Sequence, residues 1–186
     1  SRNGDRTRFM LSTLVSAFAG LVLVATAGGP SDEMFEALRR APEGPTAEQL
    51  EADVSAALRE SGSATADILL ERAMVAQTMQ DFDLSREFLD RAIAVEPDFA
   101  EAWFQRAMLF IVDEAYDQAI LDLNEALTHE PRHFNAWLML GNVFEQLGQN
   151  REAVEAYREV LAIHPNHERA RTQVRRLEPL VFGRAI

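Results

Sequence analysis

The sequence predicts an all-α fold, built as an array of antiparallel helical hairpins. Three observations predict it. No stretch alternates apolar and polar residues with period two, so no strand is expected. Pro97, Pro131 and Pro165 stand 34 residues apart, and each follows an apolar stretch that closes a helix: AIAVEP, ALTHEP and VLAIHP. The phrase E-P-x-x-x-x-A-W occurs at 96–103 and again at 130–137, at the same 34-residue interval. Proline lacks an N–H and clashes with the preceding turn, so it ends one helix and opens the next unit. Self-similarity at a fixed period of this size signals stacked helical pairs.

Residues 1–27 come first. Arg2, Arg6 and Arg8 precede an apolar run, and no charged residue occurs from Phe9 to Ser31. Ala25-Thr26-Ala27 closes the run with small residues. A basic start, an apolar middle and a small-residue end predict a secretory signal peptide. An uncleaved membrane anchor is the rival reading of the same run, which is at the short end for a spanning helix. Under either reading the basic flank stays in the cytoplasm and the rest lies outside it, in the periplasm. Membrane contact, where there is any, runs through residues 9–27.

Residues 28–65 form a linker and an N-terminal cap. Gly28-Gly29-Pro30 and Pro42-Glu43-Gly44-Pro45 are turn signals that flank a short helix at 32–40. Thr46 and Gln49 read as a capping box opening a second helix. Leu50, Val54, Ala57 and Leu58 give that helix one apolar face, and Ser61-Gly62-Ser63 ends it. Three repeats follow, at 66–99, 100–133 and 134–167. A stack of repeats needs a polar end. Residues 167–177 supply it, with Ala170, Val174 and Leu177 on one face and four arginines on the other. This cap covers 168–178. Pro179 is expected to stop it, leaving 179–186 as a tail.

The repeats can be aligned by position. The third has Trp137, Leu140, Gly141, Phe144, Ala153, Tyr157, Val160 and Pro165. The second has Trp103, Arg106, Ala107, Phe110, Ala119, Leu123, Ala126 and Pro131. The first is degenerate, with Leu69, Arg72, Ala73, Ala76, Ser85, Leu89, Ala92 and Pro97. This set resembles the tetratricopeptide repeat pattern W-x2-L-G-x2-Y, A-x3-F-x2-A, P. It also resembles small exported alphaproteobacterial proteins of that family. The resemblance implies a right-handed solenoid of three units. Gly or Ala at the eighth position (Ala73, Ala107, Gly141) is expected to let the two helices of a hairpin approach closely.

Composition narrows the function. The net charge is −12 and all 18 basic residues are arginine, which disfavours phosphate neutralisation and hence nucleic acid as a partner. Cysteine is absent, which removes disulfides, thiolate metal sites and a cysteine nucleophile. No catalytic or phosphate-binding motif stands out, so no enzyme activity and no cofactor is expected. His129, His133, His164 and His167 are expected to be surface histidines near Glu130 and Glu168, with a turn role for His133 and His167. A metal site built on them would lack a clear third ligand. Asp81, Asp83, Glu114 and Asp117 read as helix caps and first-turn charges.

The resemblance implies a concave groove lined by positions two, five, nine and twelve of each first helix. These are Asp67, Leu70, Met74 and Gln77; then Glu101, Phe104, Met108 and Ile111; then Asn135, Leu138, Asn142 and Glu145. The family's carboxylate-clamping groove uses lysines, asparagines and an arginine, and only Asn142 fits it. The expected partner is instead another protein or peptide segment on a largely apolar face: Leu70, Met74, Phe104, Met108, Ile111, Leu138 and Asn142. Methionine suits irregular apolar partners. A competing expectation is that residues 31–61 lie over Leu70, Phe104 and Met108. The functional reading is a non-catalytic interaction module of the bacterial envelope. The alternative is a membrane-anchored accessory subunit or assembly factor of a larger complex. Oligomeric state is left open.

Overall fold

A computed structural model describes residues 28–183. The expected signal peptide or anchor (1–27) and the last three residues of the tail lie outside the described residues. Nine helices are described: α1 (Asp32–Arg40), α2 (Pro45–Ala57), α3 (Ala64–Thr78), α4 (Phe82–Val95), α5 (Ala100–Val112), α6 (Tyr116–His129), α7 (Phe134–Gln146), α8 (Asn150–Ile163) and α9 (Glu168–Phe182). Helices α3–α4, α5–α6 and α7–α8 are antiparallel hairpins stacked in chain order, and α9 packs on α8. None of these helices is long and apolar enough to cross a membrane.

The joints repeat because their chemistry repeats. Within each hairpin the chain reverses through one residue with positive φ: Gln80 (60°), Glu114 (57°) and Gly148 (73°), at 34-residue spacing. The next amide closes each turn onto a carbonyl five residues back, as Asp81 to Ala76, Ala115 to Phe110 and Gln149 to Phe144. Between hairpins, Trp103 Nε1 donates to the Pro97 carbonyl at 2.8 Å and Trp137 Nε1 to the Pro131 carbonyl at 2.9 Å. The tryptophan of E-P-x-x-x-x-A-W therefore pins the turn that its own proline opens. Gly141 lies beneath the Tyr157 ring, where an added Cβ would stand 2.5 Å from the ring edge.

Four expectations need correction. The T-x-x-Q box does not form: α2 starts at Pro45 with Gly44 as N-cap and no side-chain cap, and Gln49 bonds to Asp53. Proline at the first helical position needs no N–H partner, so it starts the helix two residues earlier than a threonine cap at 46 would. Pro179 does not stop α9, which runs on to Phe182. So near a helix end proline forfeits one carbonyl partner, and the last turn is held by Arg158 on Glu178 and by Arg151 and Arg158 over the Phe182 ring. Asp81 caps α4, and Asp83 and Asp117 are first-turn charges, but Glu114 is a left-handed turn residue instead. The histidine environments also differ from expectation, as described below.

Helices α1 and α2 form a strap along the edge made by the inter-hairpin turns. Gly28 is seated against the backbone of Ser61 and Gly62. From there α1 runs forward along the array: Arg132 pairs with Asp32 and lies over the Phe35 ring, and Asn166 donates to the Ala41 carbonyl. Helix α2 returns through Arg171–Glu43, His164–Glu51 at 3.0 Å and Asn135–Ser55 at 3.5 Å. Phe35, Leu38, Val54 and Leu58 join one core with Phe134, Leu138, Val154 and Tyr157. The strap thus covers Leu138 in the third repeat. It does not share a core with Leu70 or Phe104, which pack inside the first two hairpins.

Candidate functional site

The inner face divides into a closed edge and an open half. At the closed edge, every position-two side chain is already engaged. Asp67 accepts from the Ser61 amide (2.7 Å) and hydroxyl (2.6 Å), fixing the α2–α3 turn. Glu101 is buried and lies 2.9 Å from His133 Nε2. Asn135 faces α2 through Ser55.

Three of the four histidines are buried structural groups rather than surface residues. His133 and His167 are N-caps 34 residues apart: Nδ1 accepts from the Ala136 amide at 3.2 Å and from the Ala170 amide at 3.1 Å. For His133 this leaves the proton on Nε2, donated to Glu101. His133 pairs with Glu101 and His164 with Glu51 of the strap, in place of Glu130 and Glu168. His129 is half-buried near Asp98 and Glu125. Among the described residues no three histidine or carboxylate side chains are placed to hold a metal ion.

Strap docking should depend on pH through Glu51 and His167. The Glu51 carboxyl is held below its ordinary range first by the hydrogen bond from His164, against its desolvation, and then by the charge of His167. Burial pushes the His167 imidazole below its ordinary 6.5, partly opposed by Glu51. Both groups hold their protons less well in the folded chain. Their stabilisation is therefore complete above the unfolded values and is lost as pH falls, starting near 6.5 for His167 and near 4.5 for Glu51. Protonating His167 also removes the acceptor that caps α9. The melting temperature should fall between pH 7.5 and about 5.5. His167→Asn, which keeps a capping acceptor without a titrating ring, should flatten that part of the profile. An unchanged slope in the variant would contradict this origin.

The seven groove residues fall into two groups. Leu70, Phe104 and Leu138 are buried, with the Phe104 ring packed at 4.8 Å and tilted 44° against the His133 ring. Met74, Met108, Ile111 and Asn142 are half-buried and border solvent. Ile111 and Asn142 also line a cavity of about 340 Å³, floored by Tyr116, Met139 and Val143 and rimmed by Glu145, Arg169 and Gln173. Its polar wall is tied down from behind. The Tyr157 hydroxyl donates to Glu145 at 2.6 Å and lies 2.6 Å from the Asn142 amide, while Arg176 reaches the other Glu145 oxygen. Burial, and then Glu145, raise the Tyr157 pKa far above the tyrosine range, so it stays a donor. Tyr116, Met139, Arg169 and Gln173 were not among the residues expected from sequence. A signal existed for two of them: continuing the 34-residue frame past 167 puts Arg169 and Gln173 at positions two and six of a fourth first helix.

Comparison with known proteins agrees with this architecture. Residues 70–128 and 110–177 each match a family profile described as Tetratricopeptide repeat. A TPR repeat-containing protein of Rhizobium etli is 31% identical over 152 residues, 82% of this chain and 74% of the relative. The Arabidopsis OM64 TPR domain superposes with a TM-score of 0.59 at 22% identity, covering 63% of this chain and 97% of that one. The first TPR of Spaghetti (RPAP3), solved with the HSP90 peptide SRMEEVD, gives 0.60 at 20% identity, covering 64% and 94%.

Proposed function

This chain belongs to the tetratricopeptide repeat family, and we propose that it is a non-catalytic interaction module that holds a segment of another protein on the open half of its inner face. The carrying observation is that Met74, Met108 and Ile111 are half-buried and border solvent, with Ile111 lining the cavity beside Asn142. Flexible apolar side chains together with a pocket that has a few fixed polar groups suit an extended or helical peptide with one anchoring side chain. The Spaghetti domain holds an HSP90 peptide. A different peptide chemistry is proposed here, because this chain has no lysine with which to clamp a terminal carboxylate.

The proposed setting is the bacterial envelope. The basic, apolar and small-residue order of residues 1–27 supports export to the periplasm. Retained, the same run would act as an anchor, and the protein would serve as an accessory subunit or assembly factor of a membrane complex. The mass of the native chain separates the two, since a polypeptide beginning at Gly28 has no such anchor.

Phe104 is unsuited to a binding test because it is buried, and its loss would perturb folding. Met108→Glu with Ile111→Glu places charge on the open half alone. In a native pull-down read by mass spectrometry, a partner held by the wild-type chain should be lost from this variant. It should be kept by Leu121→Glu, which alters an exposed leucine on α6. Helicity should stay near wild type in both. Retention of the partner by the Met108 and Ile111 variant would refute the site.

A further inference from the structure

Among the described residues, the outer face of α3 lacks the neighbour that the repeat geometry specifies. Position three is Ala102 and Ala136 in the second and third repeats, both fully buried, but Ile68 in the first, 50% exposed. Position ten is Leu109 (3%) and Val143 (1%), but Val75 is 54% exposed. In the later repeats these positions face the second helix of the preceding hairpin, and α3 has no preceding hairpin. The strap does not substitute, since it packs on the far end of the array. Met79, 75% exposed, extends the apolar face by one turn.

The missing neighbour has a definable chemistry, because α4 on α5 is a template for it. There, Arg106 at position seven receives Asp90 from α4 at 2.9 Å, and Arg86, one turn earlier on α4, reaches Asp113 at position fourteen at 2.6 Å. The pairs run in opposite order along the two helices, so the covering helix is antiparallel. In the first repeat position seven is Arg72, which has no ion pair among the described residues, and position fourteen is Met79. A helix seated on α3 therefore needs a carboxylate opposite Arg72 and, four residues before it, an apolar side chain opposite Met79. Exposed apolar surface surrounding one uncompensated cation fits a binding face better than a solvated end.

The geometry points to α3 as a second docking surface, for an amphipathic helix of another polypeptide. That helix carries an acidic residue four positions after an apolar one. Residues 9–27 do not meet this requirement, as they contain no Asp or Glu. A second copy offering the same row, Ile68, Arg72, Val75 and Met79, would bring no carboxylate to Arg72. This surface is separate from the inner face, so loss of one leaves the other intact.

A photo-crosslinking residue in place of Val75 in the full chain, expressed in its native host, tests this. The crosslinked peptide should map to an acidic amphipathic helix of one other protein. A synthetic peptide of that helix should bind the full chain. Arg72→Glu should weaken it about tenfold, and exchanging the peptide's acid for arginine should restore it. Met108→Glu with Ile111→Glu should leave it unchanged. Four results would overturn the proposal: crosslinks to a second copy, crosslinks to residues 9–27, no crosslink above a control at Leu121, or binding indifferent to Arg72→Glu.

Discussion

Arg106→Leu should cost about 3 kcal/mol of folding stability, the lower part of the range for breaking a buried ion pair. Its Nε and one terminal nitrogen grip Asp122 in two bonds of 2.7 and 2.9 Å, and the other terminal nitrogen reaches Asp90. The three are not equivalent. The Asp122 side chain is 6% exposed, whereas Asp90 is 54% exposed. Losing the arginine strands a carboxylate in the core but costs little at Asp90, which water can solvate. The guanidinium also lies 4.9 Å over the Trp103 ring, so packing is lost along with charge. The chain carries its own rescue. At the same two positions the third repeat has Leu140 and Ala156, both buried, so the stack accepts an apolar pair there. Arg106→Leu with Asp122→Ala should recover most of the loss, leaving about 1 kcal/mol. Chemical denaturation of the two variants measures it. If the double variant is as unstable as the single one, the pair is not the source of the cost.

That the chain could hold two solutions to one joint explains what was legible in its sequence. Everything set by a local period could be read: the prolines, the tryptophans, the small residue at position eight, and the pairing of successive helices. The fold class follows from these alone, since each joint is closed by residues only five or six positions apart. What was missed is non-local or quantitative. The strap meets the third repeat through partners as far apart as Asn166 and Ala41 or His164 and Glu51, and no periodicity relates such residues. Hence the competing expectation placed coverage over Leu70, Phe104 and Met108, and the strap covers Leu138 instead. The histidines were misjudged for another reason. Their turn role follows from sitting at the end of a frame, but burial depends on the strap above His164 and His167. Of the seven groove residues expected from the resemblance, Met74, Met108, Ile111 and Asn142 border solvent, and Leu70, Phe104 and Leu138 are buried. Tyr116 and Met139 floor the cavity because of how α6 and α7 meet, which the single-helix pattern does not state.

Gly141→Ala should destabilise the chain by about 1–3 kcal/mol, although alanine is the better helix former by about 1 kcal/mol. The new methyl would stand 2.5–2.8 Å from three atoms of the Tyr157 ring. The ring has little freedom to yield: it is fully buried, and its hydroxyl is held at Glu145 and Asn142. The first two repeats show why the glycine is needed here and not elsewhere. They place Ala73 and Ala107 at position eight, and Leu89 and Leu123 where the third has Tyr157. The smaller side chain leaves room for the methyl, so glycine and tyrosine form one coupled pair. Tyr157→Leu alone should also destabilise, by leaving a void over Gly141. The double variant, which is the pair used by the other repeats, should be more stable than either single one, with a coupling of at least about 1 kcal/mol. Additive losses would mean that the two residues do not share the constraint. The same double variant separates scaffold from site. It keeps the stack but releases Asn142 and Glu145, the polar wall of the cavity, from the hydroxyl that positions them. A partner seated in that cavity should then bind more weakly to a chain that melts normally, whereas a partner on α3 should not register the change.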